Sequence, residues 1–235
     1  ILSAEQVIIR LMPRFTHQPN IMKLKWPQVG IHHDLPPSTY FGFRLEGETI
    51  VSKSLLWDFQ KNPKRWKESP PKESSAAMNW GSLVDCMLLT PDRYSDQFCI
   101  SPYNDFRTKE SKEWRDSQTR LVITTDDLTE AQKAVEKLRS NHHVKAMLEG
   151  NARTQVAVVA EANCDGSPLL VKGLIDLVPD KELEWGNHLI DLKTIGKMDS
   201  LRGIESSIGD YGYHMQAGLY LTLYNLVSND LPREE

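Results

Sequence analysis

Two short stretches set acids among apolar residues: Gly173-Leu174-Ile175-Asp176 and Ile190-Asp191-Leu192-Lys193. A carboxylate in a strand-forming, apolar pattern is costly unless it meets a cation or several hydrogen-bond donors. Two of them on neighbouring strands can hold a hard divalent ion such as Mg2+, which takes oxygen ligands and keeps several waters. Lys193 stands two residues after Asp191, so in a strand both side chains leave the same face. A metal with an ammonium beside it is what phosphodiester hydrolysis needs. The ion polarises the phosphate and lowers the pKa of a bound water. The lysine orients that water or neutralises charge in the transition state. An Asp-x-Lys triplet alone is short and more often marks a surface salt bridge; the Gly-x-x-Asp before it, at a hairpin-compatible distance, narrows the reading.

These residues need a sheet to position them. Thr154 to Ala160 is valine-rich and alternates poorly, as in a strand buried on both faces. Cys164-Asp165-Gly166-Ser167 is a turn signal, and Leu169 to Val178 is a second strand, so the two form a hairpin. Residues 179 to 187 are polar, His188 to Thr194 reads as a short third strand, and a loop or short helix follows. Tyr213 to Val227 is helical, with Leu219, Leu223 and Leu226 on one side.

The upstream half reads as helices. Ser3-Ala4-Glu5-Gln6 is a capping-box pattern that predicts a short helix ending near Pro13. Residues 14 to 49 read as loop with a strand near 40 to 45. Ser52 to Gln60 is a short helix, and Ser74 or Ser75 caps a longer one through about Leu89, with Pro91 just beyond. Residues 92 to 106 read as irregular and Lys109 to Arg120 as polar and helical. Asp126 opens a helix marked by Leu128, Ala131, Val135 and Leu138, and a further turn or two covers His142 to Leu148. Helices thus dominate to about residue 150, before a sheet and a helix. The class is α/β, a small mixed sheet flanked by helices, with a helical N-terminal part.

Composition narrows the function. The chain has 235 residues, 40% hydrophobic and 26% charged, enough for one large domain or two small ones. A net charge of -4 argues against holding nucleic acid by bulk charge alone, though the acids of a metal site themselves lower the total. Cys86, Cys99 and Cys164 have no metal-ligand spacing and make no disulfide framework. They fit a reduced, cytoplasmic setting. No run of about 18 apolar residues predicts a membrane span, and no signal-peptide pattern opens the chain. Neither a Walker A loop nor Gly-x-Gly-x-x-Gly is present, so neither ATP nor a dinucleotide is expected. There is no Gly-x-Ser-x-Gly elbow.

Basic residues offer a nucleic-acid surface. Lys61, Lys64, Arg65, Lys67 and Lys72 surround Trp66, and Arg107, Lys109 and Lys112 form a second group. Either can hold a phosphate backbone, and either fits a solvated face. His32-His33 and His142-His143 read as surface residues, and His214 as a weak candidate for a phosphate contact.

The acid pair and its lysine resemble the PD-(D/E)XK signature. Tyr211 to Tyr220 resembles the Gln-x-x-x-Tyr helix of the RecB-like and RecE-like exonucleases; Gln216 and Tyr220, four apart, share a helix face. Val51 to Leu55 and Asn62 to Trp66 are similar to that family's opening "Ser-x-Ser-x-Leu … Ser/Cys-Pro-x-x-Phe" element. Trp80 to Leu89, with Asp85, is similar to its "Gly-x-x-x-His-x-x-Leu" helix. Phe106 to Lys112 resembles a basic segment of the RecE-type, exodeoxyribonuclease VIII-like branch. The likeness spans about residues 50 to 226 in the family's order.

The resemblance implies a restriction-endonuclease-like core over 51–235 behind an N-terminal extension, 1–50. Its helical part would be 51–150, one wall of a DNA cleft, and its catalytic sheet and helix 151–228. It implies Mg2+ or Mn2+ held by Asp176, Asp191, the Leu192 carbonyl and Asp85. Lys193, Asp176 and Asp191 would be catalytic. Gln216, Tyr220, Lys64, Arg65, Arg107 and Lys109 would contact DNA. The implied activity is exonucleolytic, on duplex ends from the 5′ side, in recombination or repair in a bacterial or phage-infected cell. A homo-oligomer and a single-strand annealing protein partner are also implied. There are departures. The family usually has His at Asp85 and often Glu at Gln155, and its core adds strands after the last helix, whereas this chain ends at Glu235. The first two motivate a rival: a PD-(D/E)XK-fold DNA-binding recombination partner with little or no cleavage.

Overall fold

The computed structural model describes residues 26–42, 50–64, 74–195, 201–229 and 233. The helix expected after Ser3, the part of the 40–45 strand beyond Gly42, and Arg65, Trp66, Lys67 and Lys72 lie outside them. In chain order the elements are β1 (Gly30–His32), α1 (Pro37–Gly42), β2 (Ile50–Ser52), α2 (Lys53–Lys61) and α3 (Ala76–Leu89). After a 3-10 turn at Pro91–Arg93 come α4 (Tyr94–Gln97), β3 (Phe98–Ile100), α5 (Lys109–Asp116), β4 (Leu121–Ile123), α6 (Thr125–Ser140) and α7 (His142–Met147). The last four are β5 (Arg153–Cys164), β6 (Ser167–Val178), α8 (Leu201–Tyr211) and α9 (Tyr213–Val227).

The β5–β6 hairpin is the frame. Asp165 (φ 50°) and Gly166 (φ 85°) form its two-residue turn. Positive φ at both turn residues matches the right-handed twist of the flanking strands. Pairing runs from Cys164↔Ser167 to Arg153↔Val178. Every residue from Gln155 to Ala160 is buried, which explains why the strand reads as continuous valine rather than alternating. β1 adds antiparallel to β5 and β2 adds parallel to β6, giving the order β1-β5-β6-β2. The fold is thus a small mixed sheet flanked by helices.

Two apolar cores meet on this frame. In one, α9 lays Leu223 and Tyr224 over Val156, Val158, Ala160, Val171, Ile175 and Val178. In the other, α3 and α6 pack together and enclose Phe98, Ile123 and Leu177. Ser75 caps α3 by accepting the Met78 N–H. Thr124 and Asp127 form a reciprocal capping box on α6, which satisfies two of the orphan N–H groups at its start.

Four sequence expectations need correction. Residues 40 to 42 belong to helix α1 rather than a strand; Pro37 opens it, where its fixed φ suits a first helical turn. Residues 92 to 106 are not wholly irregular: β3 pairs in parallel with β4, and three-residue strands are too short to show alternation. The loop expected over 14 to 49 supplies β1, an edge strand of the sheet. The third strand, His188 to Thr194, reduces to one bridge, with Leu177 and Ile190 exchanging N–H···O bonds of 3.1 and 2.9 Å. Beyond it the Leu192 N–H turns to a carboxylate instead of a ladder. Among the described residues no helix is long and apolar enough to cross a membrane.

Candidate active site

The Leu177↔Ile190 bridge sets the centre. One step beyond it, antiparallel geometry puts Asp176 of β6 beside Asp191. The Leu192 N–H donates to Asp176 Oδ2 at 2.8 Å, and Lys193 forms an ion pair with Asp191. On β5, Gln155 stands between the paired Thr154↔Leu177 and Val156↔Ile175, where it faces Asp176 without pairing. Its φ is 50°, a left-handed conformation that costs a non-glycine residue about 1–3 kcal/mol and collects at functional sites. Its side chain reaches across to α3 and donates to Asp85 Oδ2 at 2.7 Å.

Two glycines explain how the helices come close enough. A Cβ on Gly81 would lie 2.9 Å from Thr194 Oγ1, so glycine lets α3 pack against the chain just after Lys193. Asp85, one helical turn on, shares that face. A Cβ on Gly173 would lie 2.9 Å from the Tyr220 ring; its absence seats α9 on β6. Gln216, one turn before Tyr220, then donates to Asp191 Oδ1 at 2.6 Å.

The electrostatics are those of acids crowded out of water. Burial, then the charges of Asp191 and Asp85, hold the Asp176 carboxyl well above its ordinary range; Lys193 and the Leu192 N–H oppose this. Burial and Asp191 push Asp85 up to about 6, again against Lys193. Asp85 Oδ1 is buried with no hydrogen-bond partner among the described residues. Among those residues no group of three or more His, Cys, Asp or Glu side chains is set to hold a metal ion. The expected set of three carboxylates is therefore not a formed cage: Asp85 is tied to Gln155, Asp176 to the Leu192 N–H, and Asp191 to Gln216 and Lys193. The donor chemistry nevertheless fits a hard cation. The acids are oxygen donors, burial and neighbouring charge that a cation relieves hold Asp85 and Asp176 above their ordinary range, and Asp85 Oδ1 is unsatisfied among the described residues.

Asp85, Asp176, Asp191, Lys193, Gln216 and Tyr220 are thus brought to one place. The basic candidates are not. Lys64 is exposed, Arg107 forks onto Asp105 at 2.5 and 2.9 Å, and Lys109 pairs with Glu113 at 3.6 Å. None of these contacts reaches the carboxylates. His214 packs edge-on against Trp57.

Three members of the site were not recognised from sequence. Gln155 was noted as a departure but not as a partner of Asp85. Lys53 is 9% exposed, donates to the Tyr211 carbonyl, and has its pKa lowered by burial and then by Lys193. The Tyr213 ring lies 5.2 Å from Lys193 Nζ and 5.7 Å from Lys53 Nζ. Lys53 occupies a variable position of the Ser-x-Ser-x-Leu text, so no pattern signals it; the buried start of α2 is its only mark.

Comparison with curated proteins yields no match. Residues 53–231 match the sequence profile of a "PDDEXK-like domain of unknown function (DUF3799)". That span starts at Lys53 and takes in every residue of the carboxylate site. With its hairpin, its paired acids and its following lysine, the chain belongs to this PDDEXK-like family.

Proposed function

We propose that the domain is a metal-dependent deoxyribonuclease. The observation that carries this reading is the meeting of Asp176, Asp191 and Lys193 with Asp85, drawn from a strand, the segment after the bridge, and a helix. Asp176, Asp191, Asp85 and the Leu192 carbonyl would hold Mg2+ or Mn2+, which when bound polarises a phosphate and acidifies a water. Lys193 places an ammonium at the edge of the carboxylates, where it orients the attacking water and offsets negative charge on the phosphate. Gln216 holds Asp191 through its hydrogen bond, and Tyr220 packs closely on Gly173.

The finer reading is an exonuclease of the RecE type, acting on duplex ends from the 5′ side in recombination or repair. It is supported by the Gln-x-x-x-Tyr pair, which lies beside Asp191. The test is degradation of linear duplex DNA labelled separately at each end, with Mg2+, Mn2+ or EDTA, beside a Lys193→Ala variant. Metal-dependent loss of one label, abolished in the variant, is expected and gives the polarity. The second reading, a DNA-binding recombination partner, is favoured by one contact: Gln155, at the place where the resemblance implies a Glu, is bonded to Asp85. Folded protein that binds DNA but cleaves with neither metal would replace the first reading by the second.

A further inference from the structure

Tyr211 ends α8 with 59% of its surface exposed, although its backbone is held on both sides. Its carbonyl accepts from buried Lys53. The preceding carbonyl, of Asp210, accepts from Lys61 at 2.8 Å. The next residue, Gly212, has φ 63° and sits so close to Trp57 that a Cβ would lie 2.7 Å from the indole. A large aromatic side chain is therefore held out into solvent from a fixed stem. Its ring stacks on Tyr213, with centroids 5.7 Å apart and planes 24° from parallel. The Tyr213 ring in turn lies against Lys193. The row Lys193, Tyr213, Tyr211 runs from the reacting centre to solvent, with Lys53 and Lys61 alongside. Of the acids close by, Asp210 accepts from the Ser206 hydroxyl at 3.1 Å, and Asp58 and Asp191 lie near Lys53.

We propose that Tyr211, backed by Tyr213, is a stacking platform for the nucleobase beside the scissile phosphate. The inference rests on the nuclease reading of the site. Every base has a π-face, so such a platform is tolerant of sequence. Inside a duplex both faces of a base are covered by its neighbours, so the platform is open only to a terminal or unpaired base and selects strand ends. Tyr211 is the substrate contact, and Lys53 and Lys61 are positioning residues that hold its stem.

The test uses the full chain and linear duplexes with 2-aminopurine as the last nucleotide at either end. In EDTA, where nothing is cleaved, wild type should quench that fluorophore but not an internal one. Tyr211→Ala should lose the quench and bind ends about 10-fold or more weakly, and Tyr211→Phe should restore both. With metal, Tyr211→Ala should raise KM for ends carrying a base and leave abasic ends unchanged. Wild type that does not quench, a Tyr211→Ala variant that quenches like wild type, or equal losses on abasic ends would overturn the platform. Wild type that quenches yet cleaves with neither Mg2+ nor Mn2+ would sink the nuclease reading and leave Tyr211 only as a stacking contact for a strand end.

Discussion

The two cores of this domain are built in opposite ways, and the site lies on their seam. The helical core, around Leu83, Val84, Ala131 and Val135, is assembled from α3 and α6 with local caps at both helix starts. The sheet core, around Val156, Val158, Ile175 and Tyr224, is assembled from long-range pairing and the docking of α9. Asp176 sits between Ile175, which packs in the sheet core, and Leu177, which packs in the helical core. Asp85 lies on α3 between Val84 and Cys86, both in the helical core. Either core alone would be a dry apolar cluster. Where they meet, Asp85 and Asp176 are held at raised pKa, and under the proposed function this seam is where a cation and a phosphate would gain from low dielectric.

The sharpest break is at the seam itself. Lys193→Ala should lower cleavage by about 10^2- to 10^3-fold, as expected when a group acting on transition-state charge is lost, with an unchanged circular dichroism spectrum. Loss of fold instead would make Lys193 structural.

Inside the helical core, Leu83 is fully buried. Leu83→Ala should cost roughly 3–5 kcal/mol in urea unfolding. Because α3 carries Asp85, activity should fall in parallel; a destabilised but fully active variant would show that the cores are uncoupled.

The acids of the seam should act in the opposite direction. Asp85, pushed up to about 6, binds a proton more tightly folded than unfolded. Its contribution is fully present below the ordinary carboxylate range and is lost as pH rises through about 6. Asp85→Asn should therefore stabilise the metal-free protein at pH 8 by up to about 3 kcal/mol and do little at pH 4. Urea midpoints in EDTA at the two pH values check this, and equal effects at both would refute the sign.

The smallest effect belongs to the local devices. Thr124→Ala removes the α6 capping box and should cost about 1 kcal/mol with no change in cleavage per folded molecule.

Much of this was legible in the chain. The turn at Asp165-Gly166, the buried valines of β5 and the helices α2, α3, α6, α7 and α9 all declare themselves through residues close in sequence. So does the place of Asp176 on β6, whereas Asp191 and Lys193 follow the single bridge at Ile190 instead of lying on the strand expected there. β1, β2, β3 and β4 escaped notice, being three residues each and strands only by virtue of their partners.

The amino-acid order alone marked the acids, the lysine and the Gln-x-x-x-Tyr pair as candidates, and it placed Asp85, Asp176, Gln216 and Tyr220 on their helices and strand. Only the tertiary structure decided what they touch. Gln155 takes a positive φ and reaches Asp85; Lys53 is buried near Lys193; Tyr211 stands exposed on an anchored stem. Periodicity records which face of an element is apolar, but it says nothing of which distant element will cover that face. Contacts between residues scores of positions apart are chosen by packing and by the need to satisfy buried charge, and that choice exists only once the two cores have closed on each other.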